Sequence, residues 1–290
     1  MTGTGAPGGT TEHRTTSADG TVVGYTRRGA GPGVVLVQGA TGTAEDYEEL
    51  ASALAAEFTV LVPDRRGRGR TPRAFEEGHD IARDVEDLDA VLSENGADRV
   101  FGLSSGAVIA LDAARTLPRV TRAALYEPPF YADGISRSGI ARLKAAIGRG
   151  DLASALILSL RTAGTAPAPI RLLPMPLARL LAAAVLAVDG RRSAPGRRLR
   201  DLLPGIRYDF ADVSAVDGRM AEFASVRMPV LLVSGTRSPE FLRRAVRDLA
   251  GVLPNARIVE LDGLGHDGPW NRSRGGRPDL VADALRTFLR

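Results

Sequence analysis

The sequence contains no cysteine, which excludes disulfides, thiolate nucleophiles and cysteine-ligated metals. Histidine is nearly as scarce, with only His13, His79 and His266 among 290 residues. No H-E-x-x-H pattern or similar spacing joins them, so neither a metal nor a cofactor is expected. Aromatic residues make up 5% of the chain and are not interleaved with a basic stripe, which argues against a nucleic-acid partner. Long apolar runs are missing too. Leu172 to Val188 is rich in Leu and Ala, but Pro174, Pro176 and Arg179 interrupt it, leaving it short of the roughly 20 apolar residues that span a membrane. The opening MTGTGAPGGTTE has no basic stretch followed by an apolar one, so residues 1–14 read as a disordered tail rather than a signal peptide. A cytoplasmic enzyme with a small-molecule substrate is the default expectation.

The basic balance is modest. The formal charge is +4 and Lys144 is the only lysine, so the arginines carry it. Two clusters, Arg65-Arg66-Gly67-Arg68-Gly69-Arg70 and Arg191-Arg192 through Arg197-Arg198, have the charge to meet phosphate. The expected reading of both is solvated loop surface.

With 290 residues, 44% of them apolar, the chain suffices for one sizeable core carrying an inserted subdomain, or for two small domains. Thr15 to Thr26, turning at Asp19-Gly20, reads as a β-hairpin with a two-residue turn. Short apolar strands follow at Val34–Val37, Phe58–Val62, Arg99–Leu103 and Ala123–Tyr126, separated by helical periodicity over Asp46–Glu57, Ile81–Glu94 and Ser105–Arg115. The same alternation returns with strands at Val230–Val233 and Arg257–Leu261 and helices at Pro239–Ala250 and Pro278–Phe288. Apolar strands alternating with helices argue for a mostly parallel central sheet flanked by helices. Between the halves lie helical segments near Ile140–Ile147, Leu152–Leu160, Leu177–Val188 and Leu199–Leu203. An all-helical insertion between two strands makes a cap over the carboxyl edge of the sheet, where open α/β folds bind ligands. Its Leu- and Ala-rich helices also leave room for a homodimer surface. The organisation expected is thus a tail (1–14), a core domain in two parts (15–131 and 224–290) and a helical cap (132–223).

The chemistry centres on Gly102-Leu103-Ser104-Ser105-Gly106. A strand that delivers Gly-x-Ser-x-Gly straight into a helix holds the serine on a sharp turn with its hydroxyl in the open. Ser104 is therefore the candidate nucleophile. Negative charge developing on an attacked acyl oxygen needs donors, and the N–H of Ser105 at the start of its helix is well placed. Ala40, in Gln38-Gly39-Ala40-Thr41-Gly42, is the choice for the second. A serine hydroxyl also needs a base. His266, flanked by Gly265 and Gly268 in the loop before the final helix, occupies the late position of the order Ser, acid, His. His79 sits just before a helix, and His13 belongs to the tail.

This pattern resembles the α/β-hydrolase superfamily over roughly residues 15–131 and 228–290, with the cap unmatched. VVLVQG looks like the family's strand and oxyanion loop, although Gln38 stands where a histidine is usual. Asp64-Arg65-Arg66-Gly67-Arg68-Gly69 is similar to its Asp-x-Arg-Gly-x-Gly loop. The resemblance implies an α/β-hydrolase fold with a helical cap inserted after the sixth strand, Ser104 as nucleophile, His266 as base, and Ala40 and Ser105 as oxyanion-hole residues. The acid departs from the pattern. Ser238 stands where the usual aspartate would follow the penultimate strand. Some relatives carry the acid after the sixth strand, which points to Glu127 in Tyr126-Glu127-Pro128-Pro129; Glu240, Asp262, Asp267 or no acid at all are the alternatives. Arg237 reads as either a contact for a substrate carboxylate or ordinary surface. A serine at this turn argues against dehalogenase and epoxide hydrolase chemistry, which relatives perform with aspartate. The activity implied is a serine hydrolase of esters, thioesters, lactones or related acyl compounds. A cyclase or lyase of natural-product metabolism, or a ligand-binding protein with a degenerate triad, is the alternative.

Overall fold

The computed structural model describes residues 9–194 and 196–290. Eight strands form a single sheet: β1 (Thr11–Thr16), β2 (Val22–Arg28), β3 (Gly33–Val37), β4 (Thr59–Pro63), β5 (Arg99–Leu103), β6 (Arg122–Tyr126), β7 (Val230–Gly235) and β8 (Ala256–Leu261). Their spatial order is β1-β2-β4-β3-β5-β6-β7-β8. The β1–β2 and β2–β4 pairs are antiparallel and all others parallel. Every residue of β3, β4 and β7 is buried, the signature of parallel strands covered on both faces.

The core helices are α1 (Glu48–Leu54), α2 (Ile81–Asn95) and α3 (Ser105–Thr116), with α10 (Glu240–Val252) and α11 (Pro278–Leu289) after the insertion. Alternate strand residues feed opposite faces of the sheet. Val35 and Val37 pack with Leu88 of α2, Ile109 of α3 and Leu249 of α10. Val34 and Leu36 pack with Leu50 of α1 and Leu285 of α11. Each fully buried leucine contributes about 2 kcal/mol of transfer free energy, so this two-sided burial stabilises the strand ends that carry the site.

Between β6 and β7 come α4 (Arg137–Gly148), α5 (Leu152–Thr162), α6 (Ala168–Leu172), α7 (Met175–Arg192), α8 (Leu199–Leu202) and α9 (Ile206–Val216). This is the helical cap. Ala153, Ile157, Ala178, Ala182, Leu186 and Leu203 give it a small core of its own. Ala178, Ala182 and Leu186 of α7, four residues apart, face that core and Met175 packs against it, whereas Leu177, Leu180, Leu181 and Val185 are exposed. Among the described residues, no helix is long and apolar enough to cross a membrane.

Three expectations need correction. The tail does not run to residue 14, because β1 starts at Thr11 and pairs with β2 from Thr11↔Arg27 onward; residues 1–8 lie outside those described. His13 accordingly sits in a strand, its ring stacked on Tyr25. The hairpin has no two-residue turn. Ser17 N–H donates to Thr21 O at 2.8 Å across a longer connection. Helix α9 was not expected at all, although Ile206, Phe210 and Val213 line one buried face at helical spacing.

Candidate active site

Ser104 joins β5 to α3 with φ at 55° and ψ at −122°, a left-handed backbone that a non-glycine residue holds only under constraint. The constraint is visible on both sides. Ser104 N–H donates to Tyr126 O at 2.9 Å, and Ser104 O accepts from Ala107 N–H at 2.9 Å. The flanking glycines are steric necessities. A Cβ on Gly102 would lie 2.2 Å from Gly106 O, and one on Gly106 would lie 2.5 Å from the carbonyl oxygens of Val37 and Gln38. The turn therefore nests against the neighbouring strand and aims the serine outward.

Glu127 follows the end of β6, directly beside this turn, and is fully buried. It too has a positive φ, 49°. Its Oε1 accepts from Gly235 N–H of β7 at 2.8 Å, and its Oε2 lies 2.6 Å from His266 Nδ1. His266 sits on the loop after β8. That loop is held by Tyr126, whose hydroxyl donates to Gly265 O at 2.7 Å, and by Arg237 N–H, which donates to Leu264 O at 2.8 Å. The carboxylate partner of the imidazole is thus Glu127. Glu240 is exposed and engaged by Arg243 and Arg247, and Asp262 accepts from Thr236. Ser238 is buried, and the Arg237 side chain is exposed.

Ser104, His266, Ala40 and Ser105 all border one cavity of about 270 Å³ between sheet and cap. Leu156 and Leu160 of α5, Phe210 and Val213 of α9, Tyr131 and Phe241 make its wall predominantly apolar. The volume is near the lower end for small-molecule pockets, which begin at about 300 Å³.

The arginine loop is the largest departure from expectation. Arg65, Arg66 and Arg68 are buried, not solvated. Arg66 pairs with Asp87 and Asp19, both at 2.7 Å. Arg65 pairs with Asp209 and Asp212 of α9 at 2.7 Å each, and Arg68 pairs with Asp209. Burial opposes the charge of Arg65, but Asp209, Asp212 and Asp84 outweigh it and raise its pKa. Burial also depresses Arg68, with Asp209 working against the shift.

His79 completes the cluster from the core side. Its Nε2 lies 2.7 Å from Asp84 and 3.2 Å from Asp212. Burial would lower its pKa, yet the two carboxylates raise it to about 9. Burial beside Asp84 pushes Asp212 up, whereas the His79 bond and the Arg65 charge carry Asp84 below its ordinary value against its own burial. The ligand atoms of His79, Asp84 and Asp212 all lie within 4.8 Å of one another, but the Arg65 guanidinium already supplies positive charge there. Asp209 and Asp212 were missed in the sequence because α9 was missed. The Asp209/Asp212 spacing beside an apolar stripe was the available signal.

Comparison with known proteins agrees with this fold. A sequence profile of the alpha/beta hydrolase family matches residues 34–284, and the chain belongs to that family. Its structure is similar to that of an alpha/beta hydrolase from Sphaerobacter thermophilus, with a TM-score of 0.78 and 30% identity over 96% of this chain and 100% of that one. In sequence it is 30% identical over 252 residues to the polyketide synthase ThaQ of Burkholderia thailandensis, covering 83% of this chain. It is 38% identical over 106 residues to the uncharacterized hydrolase YraK of Bacillus subtilis, covering 36% of this chain. The chain spans only 11% of the synthase and the match only 39% of YraK.

Proposed function

We propose that the protein is a serine hydrolase of small, largely apolar acyl substrates such as esters, thioesters or lactones, working through Ser104, His266 and Glu127. The observation that carries this reading is the buried Glu127 carboxylate 2.6 Å from His266 Nδ1, with Ser104 on a strained turn at the same cavity. In the proposed cycle, Nε2 of His266 takes the Ser104 proton as Oγ attacks the carbonyl carbon. Glu127 holds Nδ1–H and stabilises the imidazolium. The N–H groups of Ala40 and Ser105 receive the developing oxyanion. His266 then protonates the leaving oxygen or sulfur, and the same imidazole activates water to hydrolyse the acyl-enzyme. The apolar wall from α5 and α9 suits an uncharged acyl chain. The reading keeps the setting expected from the sequence, a cytoplasmic enzyme that needs neither metal nor cofactor.

Wild type and Ser104→Ala are to be assayed on p-nitrophenyl esters of increasing chain length and on lactones, together with labelling by a fluorophosphonate probe. The expected result is label on Ser104 and a loss on the order of 1,000-fold or more in the variant. A variant with full rate would overturn the proposal. Similarity to a segment of a polyketide synthase favours one second reading, a non-hydrolytic step of natural-product metabolism. It predicts turnover of the true substrate by an enzyme whose Ser104 does not react with the probe.

A further inference from the structure

Two guanidinium groups lie directly beneath the loop that carries Ala40. The Arg68 side chain is completely buried. Its Nη1 donates to Gly39 O at 3.1 Å, and its Nη2 donates to Asp209 Oδ2. Arg65 Nη1 donates to Gln38 O at 3.1 Å, to Ser105 Oγ at 3.0 Å and to Asp209 Oδ1 at 2.7 Å. Ser105 Oγ donates to the same Asp209 oxygen at 2.6 Å. One carboxylate of the cap therefore holds both arginines and a hydroxyl of the nucleophile's own helix.

The direction of these bonds matters. No peptide bond among the described residues is cis, and in a trans peptide the C=O and N–H of one unit point in opposite directions. Gly39 O and Ala40 N–H belong to the same unit. A guanidinium that draws Gly39 O downward turns Ala40 N–H upward, toward the cavity that Ala40 borders. It also polarises the unit, since donation to a carbonyl strengthens the N–H on its far side. Ser105, which supplies the other proposed donor, is anchored by its side chain in the same cluster.

We infer that Arg68 and Asp209 are positioning residues for the oxyanion hole. Arg68 holds the Gly39–Ala40 peptide with its N–H aimed at the developing charge, and Asp209 of α9 holds Arg68 in place. Arg68 does not border the cavity, and Asp209 borders it with its carboxylate oxygens engaged by Arg65, Arg68 and Ser105. The arrangement makes the hole depend on the seating of the cap, because its anchoring carboxylate belongs to the insertion. This inference rests on the serine-hydrolase reading.

The test compares wild type with Arg68→Lys, Arg68→Met and Asp209→Asn. Three quantities are measured: kcat and KM on a p-nitrophenyl ester, Ki for an apolar trifluoromethyl ketone, and the melting temperature. Ser104 Oγ adds to the ketone's carbonyl carbon as its proton passes to His266, which leaves a tetrahedral oxyanion, so Ki reads the hole directly. Removing one oxyanion donor outright costs roughly 100- to 1,000-fold in kcat, and misdirecting one is expected to cost roughly 10- to 100-fold. KM should stay within about threefold, and Ki should rise in proportion to the loss in kcat/KM. Asp87→Asn is the control for structure alone, since Asp87 pairs with Arg66, whose other bonds go to Asp19 and Arg83 O and not to the oxyanion loop. It should lower the melting temperature and leave Ki unchanged. Folded Arg68→Lys and Asp209→Asn enzymes with wild-type Ki and kcat would overturn the inference, whatever happens to Arg68→Met. That failure leaves the wild-type adduct intact, whereas a wild type that forms no adduct with the ketone would overturn the serine-hydrolase reading and this inference together.

Discussion

Replacing Glu127 with Gln changes one oxygen to an amide nitrogen, and the surroundings leave that nitrogen no harmless position. Gly235 N–H needs an acceptor at Oε1, and His266 Nδ1 faces Oε2. If the amide keeps its oxygen toward Gly235, its NH₂ faces Nδ1. The imidazole must then accept at Nδ1 and carry its proton on Nε2, the wrong tautomer for taking a proton from Ser104. If the amide flips, its NH₂ confronts Gly235 N–H inside the protein, which costs about 1–3 kcal/mol for the unpaired donor. In both cases the charge that stabilises the imidazolium is gone. Together these effects amount to roughly 4–5 kcal/mol of transition-state stabilisation, a loss of about a thousand- to five-thousand-fold in kcat/KM. The assay is p-nitrophenyl ester hydrolysis across pH 6–9, with circular dichroism to establish that the variant is folded. A folded Glu127→Gln enzyme within threefold of wild type would refute the assignment of the acid.

Two further outcomes follow from the same geometry. Gly106→Ala places a Cβ 2.5 Å from two backbone carbonyl oxygens; it should cost about 3 kcal/mol or more and lower the melting temperature by roughly 6 °C or more, whereas an unchanged melting curve would mean that the close approach at the turn is wrong. His79 has a folded pKa raised to about 9 from 6.5, so its pairing stabilises the protein fully below pH 6.5 and that contribution is lost as the pH rises through 9. With solvent screening allowed for, the loss is about 1–2 kcal/mol. A melting temperature that falls over this window in wild type but much less in His79→Gln is the expected result, and equal slopes would count against it.

What was legible in the sequence was what local pattern encodes. Uninterrupted apolar runs such as Val34–Val37 announce buried parallel strands, and a glycine-flanked serine between a strand and a helix announces its own turn. Glu127 was reachable through the resemblance, because some relatives carry an acid after the sixth strand, and in the structure that strand lies between β5 and β7. The arginine loop was misread because charge in a short window says nothing of what lies opposite. The closest carboxylate partners of Arg65 and Arg68 come from residues 209 and 212, more than 140 positions away. Helix α9 escaped notice because Asp209 and Asp212 dilute its apolar stripe, and the same two residues give it its place in the site.

The buried cluster also bears on how this protein could be rebuilt. Arg65, Arg68 and His79 from the core face Asp84, Asp209 and Asp212, two of which come from the cap. A chimera that exchanged the insertion at the ends of β6 and β7 would strip Arg68 of its counter-ion and leave Arg65 with Asp84 alone, unless the donor segment carried carboxylates at the same two turns of its last helix. Cap and core are therefore not interchangeable parts. Any graft meant to alter substrate choice must transplant this electrostatic seam along with the pocket wall, or rewrite the arginine loop to match.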